Sequence, residues 1–139
     1  MLICDLDGEH DVEDDAAIEH VLSRRNGSGM NQFRLFRGRA EADSWPSLII
    51  LVNGEIAWLY FLLSSEHSGY HSVGAVPGLD PQGRTKFVSL GPQDEEFSND
   101  QVVPFASALQ AAKEFSVAAQ LPRCMDWYDT HERVLIKAA

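Results

Sequence analysis

The string most suggestive of chemistry is Ile3-Cys4-Asp5-Leu6-Asp7-Gly8, near the start of the chain. An apolar strand that delivers two aspartates and a glycine suits phosphoryl transfer, in which one carboxylate attacks phosphorus, its neighbour moves a proton and magnesium neutralises the charge. A small metal-dependent phosphohydrolase using Asp5 and Asp7 is thus the enzyme reading of this chain. Two features oppose it: Glu9 follows the glycine where that motif continues with Thr or Val, and the later strands read as a meander without parallel crossovers. As a calcium loop the same acids, Asp5, Asp7 and Glu9, fail twice. His10 stands where the loop needs glycine, and Ala16 where it needs a bidentate glutamate.

His67 and His71, four apart and close to Glu66, would form a metal face on a helix. With Gly69 between them and a strand-like context, their side chains need not converge, and surface or turn histidines are the better account. Ser64 and Ser65 lack the strand-turn-helix elbow of a nucleophilic serine. Neither a Gly-rich dinucleotide or phosphate loop nor an aromatic pattern on a basic strand occurs. No cofactor and no catalytic constellation is expected, which favours a binding protein over an enzyme.

The elements that position these residues follow from periodicity. Asp11 and the acid three places on, ahead of the stripe Ile18, Val21, Leu22, predict a helix over about 12–26, closed by Arg24, Arg25 and Gly27. The chain then changes period. Gln32 to Arg37, Leu48 to Val52 and Ile56 to Leu63 read as strands, the last two joined by an Asn53-Gly54 turn and apolar enough to be covered on both faces. Tyr70 to Val76 and Lys86 to Leu90 continue the meander, and Pro92 to Asp100 reads as an acidic loop. Pro104 opens a second helix, about 104–120, with the stripe Phe105, Ala108, Leu109, Ala112, Phe115, Ala119. Arg123 to Tyr128 returns as a strand and Val134 to Ile136 adds a short one. The expected fold is α+β: an antiparallel sheet of about five to seven strands with two main helices, in a single domain over residues 1–139. Trp58 and Trp127 are expected in the core, and Trp45 in a loop.

With 139 residues, 45% hydrophobic, the chain can bury a core without disulfides or a structural metal. Cys4 and Cys124 are read as free, buried thiols. The net charge of −10 disfavours nucleic acid and anionic membrane as partners. The acidic start lacks a signal peptide, the apolar runs are too short for a bilayer, and a cytoplasmic location is expected. Charge is unevenly spread. Residues 1–20 hold eight acids and no Lys or Arg, whereas Arg24 to Arg39 hold five arginines and no acid.

The C-terminal third, VVPFASALQAAKEFSVAAQLPRCMDW, resembles the end of the first family of bacterial polymorphic-toxin immunity proteins. The features that carry the likeness are Val103-Pro104 at the helix start, Glu114-Phe115 near its end, and a proline followed by a strand closing on Trp127. Upstream, the apolar strand, Asn-Gly turn, aromatic strand and Gly69-Tyr70 follow in the same order. The resemblance implies an α+β protein that binds and neutralises a cognate nucleic-acid deaminase toxin without catalysing anything. Charge adds the expectation that an acidic protein does so by occluding the basic cleft around the toxin's zinc-activated water. A monomer or weak dimer is expected. From charge and expected exposure, the partner-binding candidates are Glu66, His67, Tyr70 and His71 after the central hairpin, and Asp94, Glu95 and Glu96 before the second helix. The acids at 5–19 compete with residues 94–96 for that role.

Overall fold

The computed structural model of the chain describes residues 1–39, 44–88 and 94–139. The elements run β1 (Leu2–Cys4), β2 (Glu9–Asp11), α1 (Asp15–Leu22), β3 (Met30–Phe36), β4 (Ser47–Asn53), β5 (Ile56–Leu62), β6 (Tyr70–Val73), β7 (Arg84–Phe87), β8 (Glu95–Ser98), β9 (Val103–Pro104), α2 (Phe105–Ala118), β10 (Asp126–Asp129) and β11 (Val134–Ile136). A 3-10 turn, Asn99–Gln101, precedes β9. The chain is α+β, and its main sheet is antiparallel in the order β2-β1-β3-β4-β5-β6-β10-β11. β5 divides one edge between two partners: Ile56 and Ala57 pair with β9, Tyr60 and Phe61 with β6. Ser72 mends the ladder between them, its Oγ accepting from the Leu59 N–H at 3.0 Å and donating to the Gln101 carbonyl at 2.6 Å.

Alternation decides what each face buries. Asn31, Phe33 and Leu35 of β3 are buried, while Met30, Gln32, Arg34 and Phe36 are half-buried on the opposite face. On one face Phe33, Leu48, Ile50, Leu59, Phe61 and Trp127 pack with Ile18 and Leu22 of α1 and Ala108, Ala112 and Phe115 of α2. On the other, Ile49, Leu51 and Trp58 meet Phe87, Val102 and Phe97, the Trp58 and Phe97 rings stacking 3.9 Å apart. The β4–β5 hairpin is thus covered on both faces, as its unbroken apolar runs predict. Trp58 and Trp127 are core residues, and Trp45 is 45% exposed beside Pro46.

The strands number eleven among the described residues, nine of them in the main sheet, exceeding the five to seven expected. The excess comes from short pieces whose pairing is dictated by neighbours. β1 and β2 form a hairpin in which Leu2 opposes Asp11, so Asp11 belongs to a strand and does not cap a helix. The capping logic holds three residues later, where Asp14 Oδ1 accepts from the Ala17 N–H at 2.8 Å. α1 also ends early, at Leu22, because the Ser23 Oγ turns back to the Glu19 carbonyl and Arg25 Nη1 takes the Leu22 carbonyl. The meander breaks after β6. β7 pairs only with β8, as a separate two-stranded sheet laid over the main one. Glu95 and Glu96 therefore lie on a strand and not in a loop, and the end of the strand expected over Lys86 to Leu90 falls outside the described residues.

Candidate functional site

The aspartate motif is a folding device. Asp5 has a fully buried side chain, with Oδ1 accepting the N–H groups of Asp7 at 2.8 Å and Gly8 at 3.0 Å. Its Oδ2 lies 3.1 Å from His10 Nε2 and 3.4 Å from Arg24 Nε. A nucleophile must present an oxygen to its substrate; these two oxygens are turned inward and committed. Arg24 also holds Asp7 at 3.2 Å, and Arg39 bridges Glu9 and Asp11 across the next strand. Its guanidinium lowers the Asp11 carboxyl below the usual range, chiefly by hydrogen bonding. Glu19 reaches Lys113 at 3.4 Å. The acids of the first 20 residues thus close on cations from Arg24 to Arg39 and from α2. Of the eight, Glu13 and Asp15 have neither an ion pair nor a capping role among the described residues.

The candidates after the central hairpin separate onto two faces. Glu66 is exposed in the β5–β6 loop. His67 is tucked in: its Nδ1 accepts the Gly69 N–H at 2.8 Å, which leaves the ring proton on Nε2, 3.0 Å from Asp129 Oδ1. Its ring stacks on Tyr70 at 4.5 Å, and Tyr70 packs on Phe61 on the helix side. Burial, then the carboxylates of Asp129 and Glu132, push the Tyr70 phenol up. Asp129 is buried, which by itself raises its pKa. That effect is outweighed by N–H donors from Glu132 and His131 and by His67, so the carboxyl stays below its ordinary value. Gly69 is required here: its φ is +104°, and a Cβ would lie 2.6 Å from the Tyr60 ring.

His71 points the other way. The register aligns Leu135, Tyr128, His71 and Tyr60 across β11, β10, β6 and β5 on the outer face, with the His71 and Tyr128 rings 5.2 Å apart. His71, Tyr128 and Leu135 of this row, with Val73, Gly74, Asp100 and Gln101, line a cleft of about 490 Å³. Tyr128, Leu135 and Asp100 were not among the candidates. Alternation against the core residue Trp127 is the signal that places Tyr128 on this face, but it needs the β10 boundary to be known.

Asp94, Glu95 and Glu96 are exposed. Glu96 faces Lys86 across the hairpin, its carbonyl accepts from Arg84 Nη2 at 2.8 Å, and its carboxylate stands 3.9 Å from Arg84 Nε. The hairpin is therefore mixed in charge. The two cysteines are free; Cys4 is half-buried and Cys124 is exposed as a residue, against the expectation of burial. The Cys124 thiol is nevertheless pushed up to about 12 by local desolvation and by Glu114. Among the described residues, no three His, Cys, Asp or Glu side chains gather as a metal would require, and no helix is long and apolar enough to cross a membrane.

Fold and site together define an α+β domain whose acid and histidine clusters hold the structure and whose outer sheet face carries open clefts. The chain belongs to the Imm1 family of immunity proteins, whose family model matches residues 5–129. It is also similar to the double-stranded DNA deaminase immunity protein of Burkholderia cenocepacia (strain H111), with 28% identity over 127 residues, 91% of this chain and 98% of that protein.

Proposed function

We propose that this protein binds and neutralises a cognate nucleic-acid deaminase toxin by covering its basic active-site cleft. Membership of the Imm1 family over residues 5–129 carries the reading, and the name of the Burkholderia relative supplies the toxin class. The physical case is complementarity. A deaminase that extrudes a base toward a zinc-activated water must hold a polyanion, so its cleft is lined with cations. A protein of net charge −10 is steered to such a cleft and competes with the nucleic acid for it. The chain itself supplies contacts and no reaction step, and it needs no cofactor. It acts as a monomer or weak dimer in the cytoplasm, where the toxin would meet nucleic acid. The exposed acids offered for contact are Glu66, Asp94, Glu95 and Glu96, with His71 on the outer face; His67 and Tyr70 shape the loop that carries Glu66.

Deamination by the cognate toxin domain, sought in the gene next to that of this chain and measured on an oligonucleotide, tests the proposal. Equimolar immunity protein is expected to stop turnover, and full turnover at a tenfold excess would refute it. Replacing Asp94, Glu95 and Glu96 by lysine then reports on the hairpin: unchanged affinity and salt dependence would remove that surface from the interface.

A further inference from the structure

The 490 Å³ cleft on the outer sheet face adjoins a second of about 400 Å³, lined by Ala75 to Leu79 and Pro81, and the two share Gly74 and Asp100. They meet at these two residues and are taken together as one groove. Gly74 fixes the shared rim. Its N–H donates to the Asp100 carbonyl at 2.9 Å, and a Cβ there would come within 2.4 Å of the Val102 carbonyl oxygen. Asp100 is thereby presented from the 3-10 turn, exposed, with no ion pair or hydrogen bond to its carboxylate among the described residues. Among the described residues no Lys or Arg lines either cleft, and apart from Asp100, Asn99 and Gln101 the walls are apolar and aromatic.

Resting on the function proposed above, we infer that this groove is the toxin-binding surface, and that an arginine of the toxin's nucleic-acid cleft seats in it, stacked on Tyr128 and paired with Asp100. The chemistry selects that occupant. A guanidinium is planar and weakly hydrated, so it stacks on an aromatic ring while donating to a carboxylate. A purely apolar segment would desolvate Asp100 without pairing it, and a phosphate would be repelled by it. The stacked Tyr128 and His71 rings supply a rigid wall, and Leu135, 48% exposed, extends the apolar floor to the sheet edge. An aromatic anchor beside a charge that becomes paired on binding is the usual composition of an energetic hot spot.

The test uses the full chain and the same purified deaminase domain, with affinity read by calorimetry. Asp100→Lys and Leu135→Asp both alter exposed side chains outside the core, and thermal melting checks that each variant stays folded. Asp100→Lys is expected to weaken binding at least about thirtyfold, Leu135→Asp about tenfold, and lysines at 94, 95 and 96 by less than either. Folded groove variants that bind like the unsubstituted protein would overturn the inference while leaving the proposed function standing. Failure of the unsubstituted protein to bind the domain would overturn both. A dimer in sedimentation that Leu135→Asp dissolves would assign the groove to a second copy and also overturn it.

Discussion

At the scale of single residues, the acid motif at the start of the chain shows how one string can serve chemistry or folding, with environment deciding between them. A carboxylate that works on a substrate needs access; Asp5 has a buried side chain and four protein partners. Its contribution is therefore to stability. Asp5→Asn keeps the shape and one acceptor oxygen but removes the charge facing His10 and Arg24, which leaves the Arg24 guanidinium with only the exposed Asp7. The substitution is expected to cost about 2–3 kcal/mol, read from urea denaturation, the range for loss of hydrogen bonds to a buried charged group. A variant as stable as the unsubstituted protein would mean that Asp5 is not the tie the geometry makes it, and would reopen the enzyme reading.

At the scale of elements, the β10–β11 turn and the β5–β6 loop stand or fall as a unit. Thr130 donates from both its N–H and its Oγ1 to the Gly69 carbonyl, at 3.0 and 2.7 Å, while Asp129 gathers its own turn and faces His67. The folded pKa of Asp129 lies below the ordinary 3.8, so the stabilisation is complete above the unfolded value and is lost as pH falls through the folded one. Urea midpoints should accordingly drop from about pH 4 downward. Asp129→Asn should flatten that limb and cost about 1–2 kcal/mol at neutral pH; an unchanged acid limb would place its origin in other carboxylates. This unit also shows what the sequence could and could not reveal. The central hairpin, α2 and the burial of Trp58 and Trp127 were legible, because long apolar runs and a helical stripe carry their own period. Pairing that joins residues 70 and 129, or sets β7 and β8 apart from the sheet, depends on partners distant in the chain and leaves no local period. The site suffered most from this. His71 was legible as a polar residue on a strand, but its neighbours Tyr128, Leu135 and Asp100 come from segments far along the chain, and no spacing joins them.

At the scale of the whole molecule, the net charge of −10 changes meaning once the chain folds. Eight of those charges belong to the first 20 residues, but Arg24, Arg39 and Lys113 are folded in among them, so that end keeps five net negative charges and the rest of the chain holds the other five. The acidic end of the sequence therefore carries half of the net charge once folded, and not four-fifths of it. Glu13 and Asp15, the acids there without partners among the described residues, flank the start of α1 on the helix side of the sheet, whereas Asp100 and the β7–β8 hairpin lie over the outer face. Screening at physiological salt acts over about 8 Å, less than the thickness of a sheet with its packed layer, so a basic partner approaching the outer face feels that face first. Association with the deaminase domain, followed by stopped flow, should slow about tenfold between 50 and 500 mM salt, with dissociation changing far less. Lysines at 94, 95 and 96 should shallow that salt dependence, because these acids contribute to the field in front of the groove even where they make no contact. Glu13→Lys with Asp15→Lys should alter the rate by no more than about twofold at 150 mM. If the helix-side pair instead slowed association as much as the hairpin reversal did, the toxin would be responding to total charge, and the outer face would lose its electrostatic claim as the docking side.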